Sequence, residues 1–171
     1  MTTYNTSADA ANTAIRAFLT KIGDDYLGSS SNTGIDKAKA DWTRVKEEVF
    51  QGKCAYCGEE CPKPQLEHLI MFNREKCGLH HPGNIVPVCN SCNKRKRNSE
   101  KKYVDWLKRL ELICETRGEG NLILDRKGRI LVHIQEEGYP NMPREEEKAL
   151  KLIANNLYES IKLEFDFPRI C

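Results

Sequence analysis

The sequence predicts an α+β fold: two short strands pinned by paired cysteines, helices before them, and a hairpin plus helix after them. Three observations lead there. Cys54-x-x-Cys57 and Cys89-x-x-Cys92 flank two strand-like runs, 65–70 and 84–88. The segments outside carry apolar residues at helical spacing. Near the C-terminus, NLILDRKGRILVHI splits into two apolar runs around a charged turn holding Gly128, a hairpin signal.

The N-terminal helix is predicted over 8–22, with Ala14, Ile15, Phe18, Leu19 and Ile22 on one face. The loop GSSSNTG (28–34) follows. Asp36 is the candidate N-cap of a second helix reaching Phe50, with Trp42, Val45 and Val49 as its stripe and Gly52 as its end. After the cysteine-rich segment, Ser91 to Glu115 predicts one long helix with Tyr103, Val104, Leu107, Leu110 and Ile113 inward. Pro143 and three glutamates in the next turn mark the start of a last helix. The chain thus divides into a helical region (1–50), a cysteine- and histidine-rich core (51–112) and a hairpin-and-helix extension (113–171).

A chain of 171 residues can bury one core with extensions. With 30% charged residues and mean hydropathy −0.63 it reads as soluble and globular. No run approaches the ~18 apolar residues of a membrane span. The first twenty residues have no basic start, no long apolar run and no clear cleavage site, so a cytoplasmic location without a membrane partner is expected. The net charge is only +2, but it is unevenly spread. Ser91–Arg109 holds eight basic residues against two acidic ones, whereas Ile134–Cys171 holds five against eight. One anion-facing side is the implication.

Without a secretory signal, eight cysteines point to metal or burial rather than disulfides. Two CxxC pairs let four sulfurs face one tetrahedral ion, which makes Cys54, Cys57, Cys89 and Cys92 a candidate structural Zn²⁺ site. Cys61 lies close enough to substitute for one of them. Cys77, Cys114 and Cys171 have burial or surface exposure as their default.

Between and beside the pairs lie an acid, histidines and amides: Glu67 and His68, His80 and His81, Asn84, and Asn93. Strand alternation sends Leu66 and His68 to one side and Glu67 to the other, so a local irregularity is needed to bring both polar groups to one site. HHPG reads as a solvated turn, with a metal ligand or phosphate contact as the alternative.

These motifs, CAYCG (54–58), LEHLI (66–70), GNIVPVC (83–89) and CNSCNKRK (89–96), resemble the zinc-bearing branch of the HNH, or ββα-metal, nuclease family. The resemblance implies a ββα-metal core over 51–112 and metal-dependent hydrolysis of DNA. It makes His68 the general base and Asn84 the amide that holds the loop and orients that histidine. It places Asn93 in the first turn of a helix, where with Glu67 it would bind a catalytic divalent ion. Oxygen ligands of this kind suit Mg²⁺ or Mn²⁺. The run Lys94, Arg95, Lys96 and Arg97 would bind DNA phosphates, against the alternative of a solvated helix face. The implied setting is restriction, defence or a mobile element, and the implied ends are 5′-phosphate and 3′-hydroxyl. A catalytically silent zinc module binding nucleic acid or protein is the competing reading, and a redox role for the CxxC pairs is a third. Cutting both strands calls for two copies, so a homodimer through the N-terminal helix or the C-terminal extension stands beside packing of those faces on the core.

Overall fold

A computed structural model describes residues 6–34, 36–94, 97–100 and 103–166. Helix α1 spans Ser7–Leu27; the Thr6 side chain accepts from the Asp9 N–H, and Gly28 closes the helix at φ 68°. Helix α2, Asp36–Arg44, runs into one wider turn, Val45–Val49. Gln51 and Gly52, both at positive φ, turn the chain out of it.

Strands β1 (Gln65–His68) and β2 (Ile85–Val88) pair antiparallel, with Gln65 opposite Val88 and His68 opposite Ile85. The loop between them returns through a single 3-10 turn, Pro82–Asn84. Helices α3 (Trp106–Thr116), α4 (Ile123–Glu136) and α5 (Arg144–Asp166) complete the fold. Among the described residues no helix is long and apolar enough to cross a membrane.

Two apolar clusters form. The first surrounds the cysteine pairs and gathers Val45, Phe50, Tyr56, Val86, Val88, Leu110 and Ile130. The second joins Ile15 and Leu19 of α1 to Leu150 and Ala154 of α5, with Cys77 and Leu79 of the β1–β2 loop between them. Each fully buried Leu or Ile contributes about 1.5–3 kcal/mol relative to exposure. The N- and C-terminal helices therefore clamp the loop that follows β1.

Two expectations are corrected. Residues 121–134 do not form a hairpin; 123–136 are helix α4. Ile123, Ile130 and Ile134 fall on one face of a 3.6 period and pack on the first cluster, whereas Leu124, Leu131 and Val132 are exposed. The outward apolar residues filled the gaps in the pattern and hid the period. Nor does one helix run from Ser91. Arg97 and Tyr103 face each other across an antiparallel bridge, which a helix through both would forbid. The helix begins only at Trp106, where the Asp105 side chain accepts from the Lys108 N–H. The crowded like charges from Lys94 onward and the turn-forming Asn98 and Ser99 disfavour an earlier start.

Gly128 separates helix from hairpin experimentally. It lies inside α4, and a Cβ there meets nothing within 4 Å. Gly128→Ala should stabilise the protein by about 1 kcal/mol, raising Tm by about 2–4 °C in a thermal melt. A hairpin turn at that residue would lose stability instead.

Candidate metal centre and histidine site

The two CxxC knuckles close on one another. Gly58, at φ 72°, turns the first knuckle so that its N–H reaches the Cys54 carbonyl at 2.9 Å. Ala55 N–H then donates to the Pro87 carbonyl at 2.8 Å and ties this knuckle to β2. In the second knuckle the Asn93 N–H reaches the Cys89 carbonyl at 3.0 Å.

As a result the sulfurs of Cys54, Cys57, Cys89 and Cys92 all lie within 4.8 Å of one another. Cys57 and Cys89 are 3.8 Å apart, and a tetrahedron with Zn–S of about 2.3 Å has edges of about 3.8 Å. The donor set fits zinc, and four thiolates leave no open position. A hydrogen bond from Cys92 pulls the Cys54 thiol down to about 5, while burial pushes Cys57 up to about 12. Cys61, Cys77 and Cys114 are buried thiols outside the tetrad.

His68 ends β1. Its ring stacks on Phe72, with centroids 4.6 Å apart, and its Nε2 lies 2.9 Å from His80 Nδ1. Asn84, 1% exposed, fastens the intervening loop. Its Oδ1 accepts from the Ile70 N–H at 2.7 Å, and its Nδ2 donates to the carbonyls of Ile70 at 2.9 Å and Leu79 at 2.8 Å. All three bonds close across the loop, so the side chain acts as a short cross-strand rung.

HHPG is not a solvated loop tip. His81 is 2% exposed; its Nδ1 accepts from the Gly83 N–H and caps the 3-10 turn. Its position directly before Pro82 carried that signal, since proline favours the first position of a helical turn. His133, to which no sequence motif points, is also buried, with its Nε2 bridging the Pro82 and Ile85 carbonyls. Burial lowers the pKa of His80, His81 and His133 alike.

Glu67 is placed elsewhere than expected. The strand stays regular, so its carboxylate points away from the His68 side and pairs with Arg109 at 2.8 Å, each side chain 7% exposed. Arg109 also lies 5.1 Å over the Tyr56 ring. Removing one partner of such a buried pair costs about 3–5 kcal/mol, which gives Glu67 a structural task. Arg109 could not be singled out from the sequence, because nothing in its helix spacing marks a buried cation.

Asn93 sits in a turn rather than a helix, and its Nδ2 donates to Gln65 Oε1. Glu67 and Asn93 are thus each bonded to another side chain. Lys94 is exposed, and Arg97 stacks 4.4 Å from the Tyr103 ring and donates to its hydroxyl at 3.1 Å. Arg95 and Lys96 lie outside the described residues.

Elemental analysis should find one zinc per chain. Cys57→Ser and Cys89→Ser should lose it and melt at lower temperature, because structural zinc contributes folding free energy. Cys61→Ser should keep it. Zinc should leave as pH falls, since acid protonates the ligating thiolates. Zinc retained by Cys89→Ser but lost by Cys61→Ser would reassign the fourth ligand. Comparison of the chain with family models, with curated proteins and with solved structures finds no match.

Proposed function

We propose that this protein is a zinc-stapled endonuclease of the HNH type that hydrolyses DNA phosphodiester bonds with His68 as general base. The observation that carries the reading is the convergence of three parts in the order the motif requires. The four-sulfur pin holds the hairpin, Asn84 fastens its loop, and His68 stands at the end of β1 beside that loop. In the reaction, water attacks phosphorus and its proton passes to His68. The bond to the 3′ oxygen then breaks and that oxygen takes a proton from solvent, leaving 5′-phosphate and 3′-hydroxyl ends.

The same resemblance implies a catalytic Mg²⁺ or Mn²⁺ on Glu67 and Asn93. As placed, these two do not form a ligand set: Glu67 is buried against Arg109 and Asn93 is bonded to Gln65. The proposed proton transfer therefore rests on His68 alone. That same Glu67–Arg109 pair favours the second reading, a zinc module that binds nucleic acid or protein without cutting it.

Lys94 and Arg97 belong to the DNA-facing side of either reading, with Arg95 and Lys96 between them in sequence. A second copy of the chain is proposed as the occupant of the exposed apolar residues of α4 and α5, Leu124, Leu131, Leu152 and Ile153. The apolar face of α1 is already buried against α5 and is withdrawn as a dimer surface. The biological setting we propose is defence or mobile-element cutting in the cytoplasm.

Supercoiled plasmid incubated with protein, with and without added Mg²⁺ or Mn²⁺, tests the two readings. Cleavage should occur, and His68→Ala should slow it by ~10²–10⁴-fold while zinc content and DNA affinity persist. Intact plasmid with every metal, under conditions where the protein binds DNA, would establish the silent module. Charge reversal at Lys94 should weaken binding to all DNA sequences alike. The log–log salt slope should fall by about 0.9 for each phosphate no longer neutralised, and weakening confined to one sequence would mean that bases are read there.

A further inference from the structure

Three cavities adjoin along one side of α3, and Val104 lines all of them. The widest, about 870 Å³, is lined by Met71 and Lys76 from the loop after β1 and by Tyr103, Lys108 and Leu112 from the start of the helix. A second, about 230 Å³, shares Met71 and Tyr103 with it and reaches Leu69 and Ile70, the residues directly after His68. A third, about 200 Å³, shares Leu112 and reaches Ser91 and Lys94 of the second knuckle. The shared walls make one trough, from the end of β1 to the cysteine centre.

The trough is apolar along its middle and cationic toward its ends. Met71, Val104 and Leu112 are half-buried rather than enclosed, and apolar surface left open within a charged rim marks a binding groove. Lys76 and Lys94 are exposed, one toward each end. Neither makes an ion pair among the described residues. Lys108 and Arg117 also line it, but they are balanced by Glu111 and by Glu59 and Glu119. Of the two acids present, Asp105 is turned to the Lys108 N–H as the cap of α3, and Glu75 stands beside Lys76. Positive ends suit a polyanion. A duplex keeps its base faces stacked inside, so an apolar floor would meet nothing on it. An unpaired strand presents base faces and phosphates together, and those are the two chemistries that the trough offers.

We propose that this trough seats one unpaired nucleic-acid strand, with bases on Met71, Val104 and Leu112 and phosphates at Lys76 and Lys94. The proposal deepens the nuclease reading and rests on it for its consequence. A strand so placed leads to the end of β1, where His68 stands, and the substrate is single-stranded or locally opened DNA.

The test is the affinity of the zinc-loaded protein, without added Mg²⁺ or Mn²⁺, for a short labelled thymidine strand. The comparison probes are the same strand paired with its complement, an abasic strand of equal length, and oligoglutamate. The thymidine strand should bind about tenfold more tightly than the duplex or the abasic strand. Val104→Glu, which sets a carboxylate on the apolar floor, should weaken it by about tenfold or more, with zinc content unchanged. If that variant does not fold, Lys76→Glu on the exposed loop takes its place. It should weaken binding and lower the log–log salt slope by about 0.7 for the phosphate lost. Lys151→Glu, exposed on α5 away from the trough, should change neither. A duplex or an abasic strand bound as tightly as the thymidine strand overturns the proposal. So does wild-type affinity in folded Val104→Glu or Lys76→Glu, and so does a protein that binds none of the DNA probes. Oligoglutamate bound as tightly as the strand would make the trough a site for acidic peptides instead. Binding as expected by a protein that cuts no DNA defeats the nuclease reading alone.

Discussion

Four cysteine sulfurs drawn to one point tie residue 54 to residue 92, and the hairpin between those residues inherits its register from that closure. The strands are only four residues each, too short to be stable as an isolated pair. They persist because one knuckle is bonded to β2 through Ala55 and Pro87, and because Val86 and Val88 enter the cluster packed around the sulfurs. Fixing β2 fixes its partner. With His68 opposite Ile85, the ring at the strand end has one place to be.

The loop that returns from His68 is held by polar groups rather than by burial alone. Asn84 makes three hydrogen bonds to Ile70 and Leu79, and His133 bridges two carbonyls of the chain on either side of it. Buried amides and imidazoles of this kind are tolerated because their bonds are made, and they define one loop geometry where apolar packing would allow several. The α1–α5 pair then covers the loop from outside through Leu79 and Cys77. The histidine site is therefore shared among segments widely separated along the chain, although its motif residues occupy one short stretch of it.

Electrostatics divides the two faces of β1. His68 faces the His80 ring and the stacked Phe72. Glu67 faces Arg109, which also lies over the Tyr56 ring. A carboxylate so buried without a cation would be costly, and the guanidinium from α3 supplies the compensation. The one-residue alternation of a strand thus assigns the acid to stability and the base to the proposed chemistry.

The sequence alone determined the elements whose signals are local. The paired cysteines announced the tetrad, because two residues between thiols suffice to aim both at one ion. Apolar spacing announced α1 and α2, and Pro143 with the three glutamates that follow announced α5. What only the tertiary structure decided depends on partners distant in the chain. Helix α4 was illegible because half of its apolar residues face outward, and only packing on the cluster of Phe50 and Leu110 shows which half is core. The start of α3 depended on a bridge between Arg97 and Tyr103 that outweighs a helical pattern. Glu67 met Arg109 forty-two residues away, and His68 met His80 under a helix that ends at Leu27. Side-chain pairing of this kind follows from how helices close over a strand. It leaves no period in the sequence, because the pairs are made across the fold and not along the chain.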